Sequence, residues 1–119
     1  MCAKTSYQKG IDAEEQAALF LQAKGFEILQ KRYKTPYGEI DLIAQKEGLL
    51  SFVEVKTRPS TAQALQSITP KAKFRISQTA EIFLSEWEQP YDVARFDVIA
   101  LTSNGAEYIE NAWRIDELY

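Results

Sequence analysis

At 119 residues, with 45% hydrophobic and 26% charged side chains, the chain is long enough for one domain with its own core and too short for two, so a single domain over 1–119 is expected. Histidine is absent, which excludes Ser-His-Asp, Cys-His and histidine-metal chemistry; the lone Cys2 has no partner for an internal disulfide, and five scattered glycines build no phosphate loop or dinucleotide fingerprint. The net charge of −3 argues mildly against nucleic acid, but residues 1–80 carry 12 basic and 8 acidic side chains (net +4) while 81–119 carry 2 and 9 (net −7), so a local basic surface exists.

Ala13, Ala17, Phe20 and Leu21 recur at three- and four-residue spacing, predicting an amphipathic helix over about 7–24 that Gly25 stops. Residues 26–33 alternate loosely as a strand, with Lys31, Arg32 and Lys34 at its end, and 35–38 (Thr-Pro-Tyr-Gly) turn. Two clear strands follow, 39–45 and 49–57, joined through Lys46-Glu47-Gly48 as an antiparallel hairpin. Residues 59–67 are small and polar with neither period and read as a mobile loop, a connector with a substrate-contacting role as the sharper alternative. Thr69-Pro70 caps a second helix whose stripe is Ile76, Ala80, Phe83, Leu84 and Trp87, ending before Pro90. Strands over 96–101 and 107 to about 113 complete the order α-β-β-β-α-β-β, a mixed β-sheet flanked by helices in the α/β class. No run approaches the roughly 20 apolar residues of a spanning helix and no apolar signal run opens the chain, so a cytoplasmic protein without a membrane partner is expected.

The hairpin concentrates the chemistry. If it turns tightly over Glu47-Gly48, Lys46 pairs with Leu49 and Asp41 stands opposite Glu54. Ile40, Leu42, Ala44, Val53 and Val55 then share an apolar face, and Glu39, Asp41, Glu54 and Lys56 share the other with Ile43 and Phe52. A three-residue loop would instead set Val53 opposite Asp41 and split the acids unless a bulge intervened. Carboxylates crowded across paired strands destabilise a sheet unless something compensates them. A hard divalent cation, Mg²⁺ or Mn²⁺, does so with one or two carboxylates, a backbone carbonyl and waters. Lys56, two residues beyond Glu54, points the same way and would orient or deprotonate an attacking water, a pattern suited to phosphodiester hydrolysis. The alternative is a solvated salt-bridge cluster.

The runs Gly38-Glu39-Ile40-Asp41-Leu42-Ile43-Ala44 and Phe52-Val53-Glu54-Val55-Lys56-Thr57-Arg58, with Arg95-Phe96-Asp97-Val98 later, resemble the YraN-like family of bacterial proteins. That family is similar to the restriction-endonuclease-like superfamily, which includes archaeal Holliday-junction resolvases and carries an Asp followed by Glu-x-Lys. The resemblance extends over most of the chain and implies a restriction-endonuclease-like fold, metal ligands at Asp41 and Glu54, and a catalytic lysine at Lys56. It also implies a helix-one acid at Glu14, in Gly10-Ile11-Asp12-Ala13-Glu14, and a Mg²⁺- or Mn²⁺-dependent nuclease acting on DNA, branched or structured DNA included. Spacing independently sets Glu14 on the helix side of Ala17, Ala18 and Leu21. Two departures stand out: Ile40 replaces the superfamily's proline before the Asp, and Ala72-Lys73 stands where many members show Lys-Gln.

Lys71, Lys73 and Arg75 set cations at the positive end of the second helix, an arrangement that phosphate contact would explain. Arg58, Lys31, Arg32 and Lys34 are further phosphate-contact candidates by charge. Asp97 reads as structural, pairing with Arg95 or a backbone amide, and Glu39 as a supporting or solvated acid. Tyr108, Trp113 and Tyr119 read as core or interface aromatics, with base stacking the sharper alternative. A symmetric homodimer would supply two sites for two strands. The competing functional readings are a catalytically inactive nucleic-acid-binding module and a protein-interaction module.

Overall fold

The computed structural model describes residues 5–114, so Cys2 and Tyr119 lie outside the described residues. Helix α1 (Ser6–Ala23) begins at a capping box in which Thr5 and Gln8 satisfy each other's backbone amides. It ends in a Schellman motif: Phe26 N donates to Leu21 O and Gly25 N to Gln22 O, with Gly25 at φ +93. Strands β1 (Glu27–Thr35), β2 (Gly38–Lys46) and β3 (Leu49–Thr57) follow as an antiparallel meander. The chain then crosses over through α2 (Thr61–Gln66) and α3 (Pro70–Glu86) to β4 (Val93–Thr102), parallel to β3, and returns as β5 (Gly105–Trp113). The five strands lie in sequence order in one mixed sheet. No helix among the described residues is long and apolar enough to cross a membrane.

The element order is the expected one, with one addition. Residues 59–67 are not a structureless loop, because Ser60 caps the Thr61–Gln66 helix by accepting from Gln63 N, and Ala64 is fully buried. Six residues, fewer than two turns, are too short to declare a 3.6-residue period, which is why the sequence hid it.

Both sheet faces are covered. Ala17, Ala18 and Leu21 of α1 pack on Leu42, Ala44, Val53 and Ile99, whereas Ile76, Ala80 and Phe83 of α3 pack on Ile40, Ile43, Phe52 and Val98. The expected apolar face is thus divided. Ile40 belongs with Ile43 on the α3 side, not with Leu42 and Ala44. Simple alternation fails because β2 breaks step at Asp41: the β1–β2 ladder skips Arg32 and Asp41, and Arg32 sits at φ +53, in the left-handed region.

The β2–β3 register is the tight one, Lys46 with Leu49 through Leu42 with Val53. Glu47 (φ +49) and Gly48 (φ +82) form the two-residue turn. Gly48 O also accepts Asp92 N and Val93 N, and a Cβ at Gly48 would collide with the Asp92 carboxylate, so the turn is tied to the start of β4.

Candidate metal centre

The β2–β3 ladder stops at Leu42–Val53, one pair short of Asp41 and Glu54. Where it stops, a side chain takes over, and Asp41 Oδ2 accepts the Val55 amide at 2.8 Å. This ties Asp41 to the Glu54–Lys56 stretch of β3. Asp41, Glu54 and Lys56 line one open cleft of about 910 Å³ at this end of the sheet, beside Lys9, Glu14 and Arg58. Asp41, Glu54 and Lys56, expected on one face from the hairpin register, thus line the same cleft, and Glu14 of α1 lies on its wall.

The cleft's electrostatics are those of surplus negative charge. Glu54 is 8% exposed, and its Oε1 is buried without a hydrogen-bond partner. Burial, and next the Asp41 carboxylate, push the Glu54 carboxyl up to about 8, with the Lys56 ammonium offsetting only part. Asp41 is also raised by burial, against the opposing pull of the Val55 amide and Lys56. Glu14 is raised by burial and by Asp41. Its counter-charge is Arg32, whose Nε lies 3.8 Å from Glu14 and 3.2 Å from Glu39. The left-handed backbone at Arg32 accompanies this placement, so a cation that composition suggested for phosphate contact is already engaged with two acids beside the cleft.

Among the described residues no three acidic, Cys or His side chains gather closely enough to enclose a metal by themselves. The donor set still suits a hard divalent cation. Mg²⁺ is held by one or two carboxylates while keeping several waters, and Asp41 with the unpartnered oxygen of Glu54 offers that number in a cleft open to solvent.

The other basic candidates are dispersed. Lys31 Nζ pairs with Glu15 at 2.8 Å, Lys34 is exposed on β1, and Lys73 lies over the Trp113 ring at 5.8 Å. Lys71 and Arg75 line a separate cleft. Arg58 lines the acidic cleft and donates through Nη1 to Thr57 O at 2.8 Å. Sequence reasoning missed Lys9 and Gln16 of the cleft wall, although their spacing with Ala13 on one helix stripe carried the signal.

Asp97 is fully buried next door and completely satisfied. Its oxygens accept from Arg95 Nε (2.7 Å) and Nη2 (3.0 Å), Tyr108 OH (2.6 Å), Asn111 N (2.7 Å) and Ser51 Oγ. Both expected partners, Arg95 and a backbone amide, are present. Tyr108 and Trp113 are core aromatics: Tyr108 packs edge-on to Phe20 and Phe26, and Trp113 stacks on Phe96.

The model of the family described as "Uncharacterised protein family UPF0102" matches residues 13–101, a span that holds Glu14, Asp41, Glu54, Lys56 and Arg58. A UPF0102 protein of Rhodopseudomonas palustris (strain BisB5) is 51% identical over 79 residues, 66% of this chain and 60% of that protein's length. A second, from strain BisA53, is 40% identical over 97 residues, 81% of this chain and 75% of its own. One from Azorhizobium caulinodans is 39% identical over 115 residues, 95% of this chain and 88% of its own.

Proposed function

The chain belongs to the UPF0102 family, the YraN-like group its motifs resemble, and from that premise we propose that it is a Mg²⁺- or Mn²⁺-dependent nuclease that hydrolyses phosphodiester bonds in branched or otherwise structured DNA. One observation carries the reading: a nearly buried Glu54 with an unpartnered oxygen, set beside Asp41 and Lys56 on the wall of an open cleft. Buried polar atoms are normally satisfied, so an orphan carboxylate oxygen at a solvent-reached site asks for a cation. Similarity to the restriction-endonuclease-like superfamily through Asp41 and Glu54-Val55-Lys56 supports the same choice.

Asp41 and Glu54 would hold the cation, which when bound neutralises phosphate charge and lowers the pKa of a nearby water. Glu54 and Asp41 are kept in place by burial and by the Val55 amide, so the donor geometry exists before substrate arrives. Lys56, half-buried on the same wall, orients the attacking water and offsets charge that builds on the phosphoryl oxygens. Glu14, held by Arg32, adds a third acid on the α1 side. Arg58 and Lys9 bring positive charge to the cleft rim for flanking phosphates, and Lys34 extends it along β1. A symmetric dimer would present two such sites to two strands.

The test is cleavage of linear duplex, single-stranded and four-way DNA by the purified protein with Mg²⁺ or Mn²⁺, beside Lys56→Ala. The expected result is metal-dependent cleavage that Lys56→Ala lowers by roughly 10²–10⁴-fold. Equal cleavage by both proteins, or none by either, contradicts the proposal.

A further inference from the structure

Asp41 and Glu54 share their cleft wall with Glu14, and Glu39 lies two residues before Asp41 on β2. These carboxylates are close enough to act on one another. Burial is the first cause that opposes ionisation of Glu14, Asp41 and Glu54; beyond it, Asp41 acts on Glu14 and Glu54, and Glu39 acts on all three. The acids nevertheless divide into two pairs. Asp41 and Glu54 include a buried oxygen without a partner, whereas Glu14 and Glu39 share one guanidinium, with Arg32 Nε 3.8 Å from the first and 3.2 Å from the second.

The placement of Arg32 is specific. Lys31 pairs with Leu42 and Tyr33 with Ile40, which sets Arg32 opposite Asp41 where the β1–β2 ladder is interrupted. Its backbone there is left-handed, a conformation that costs free energy for any residue but glycine. The Arg32 and Glu14 side chains are 32% and 15% exposed, so the guanidinium is held among the acids rather than extended into solvent.

A hard divalent cation is held by one or two carboxylates and waters, and paired-cation nuclease centres set two such ions about 3.5–4 Å apart. Glu14 and Glu39 bring together the carboxylates for a second ion, but the guanidinium is already between them. It stays protonated at any working pH and, being part of the chain, does not exchange with dissolved ions. The geometry points to Arg32 as the occupant of a second cation position, so that this centre takes one divalent cation and Arg32 sets that number. The inference deepens the nuclease reading and rests on it for the first cation, at Asp41 and Glu54. A fixed single charge then replaces the second metal ion of a paired centre.

The experiment is Mn²⁺ titration of the full chain without DNA, with free Mn²⁺ read by electron paramagnetic resonance. Wild type and Arg32→Lys are expected to bind about one ion per chain. Arg32→Gln, and Arg32→Met as a second neutral side chain, should bind about two, because Glu14 and Glu39 are then left to a cation. Adding Glu39→Gln to Arg32→Gln should return the number to about one. A cooperative unfolding curve in EDTA verifies that each variant is folded. Two ions on the wild type, one on the folded neutral variants, or two on the double variant overturns the inference. One ion on wild type and neutral variants alike, lost in Glu54→Gln, leaves the cation site of the nuclease reading standing and contradicts this inference alone. No ion on the wild type contradicts both.

Discussion

Asp97 and Glu54 are buried carboxylates on adjacent strands, Asp97 paired in register with the residue before Glu54. Asp97 collects donors from Arg95, Tyr108, Asn111 and Ser51, whereas Glu54 keeps one oxygen with none and has Asp41 beside it. The partners of Asp97 bear the imprint. Burial disfavours the Arg95 charge, but the Asp97 carboxylate holds the guanidinium protonated above its ordinary range, and burial together with that carboxylate pushes the Tyr108 hydroxyl up to about 12. The contrast separates two uses of a buried acid. A saturated carboxylate fastens strands, here β3, β4 and β5, while the unsaturated one lies at the wall of a cleft with an oxygen unpartnered, the feature on which the proposed cation site rests.

The largest expected effect breaks the fastened acid. Asp97→Asn leaves the Arg95 charge with only the exposed Glu110 as a carboxylate partner and should lower unfolding free energy by about 3 kcal/mol in urea titration. Glu54→Gln should act in the opposite direction. In EDTA at pH 8 it removes a carboxyl that the fold forces to hold or release its proton against its surroundings, and a gain of about 2 kcal/mol is expected. If both substitutions destabilise alike, the distinction between the two acids fails.

A pH series sharpens the same contrast. The folded Glu54 titrates at about 8, above its ordinary 4.5, so the native state retains a proton that the unfolded chain has already released. The Glu54 contribution to the stability of the metal-free protein should be fully present below about pH 4.5 and fall by a few kcal/mol as pH rises towards 8. Glu54→Gln should flatten that fall. Urea midpoints at pH 5 and pH 8 check it.

Smaller effects belong to the cleft's border. Arg32→Ala removes the counter-charge of Glu14 and Glu39 and should destabilise by about 1 kcal/mol, while Lys34→Ala, exposed on β1, should stay within about 0.5 kcal/mol. Equal losses would remove Arg32 from the site.

The hairpin and its acids were legible in the sequence because a two-residue turn fixes register by counting, and Asp41, Glu54 and Lys56 follow from that register. Glu14 was legible from helical spacing. What could not be counted was the break in step at Asp41 and the left-handed Arg32, whose side chain pairs with an acid seven residues away and with another brought in by α1. The five donors on Asp97 come from three strands, so its saturation was visible only once they were assembled. Helix α2 and the division of the α3 cations likewise arise from packing rather than from local pattern.

The central claim is that Asp41 and Glu54 hold a divalent cation, and Mn²⁺ titration followed by thermal unfolding tests it most directly. At a cation concentration about 100 times Kd, the wild-type protein should gain about 2.7 kcal/mol and its Tm should rise, while Glu54→Gln should show no rise. An equal shift in both proteins, or none in the wild type, would contradict the account.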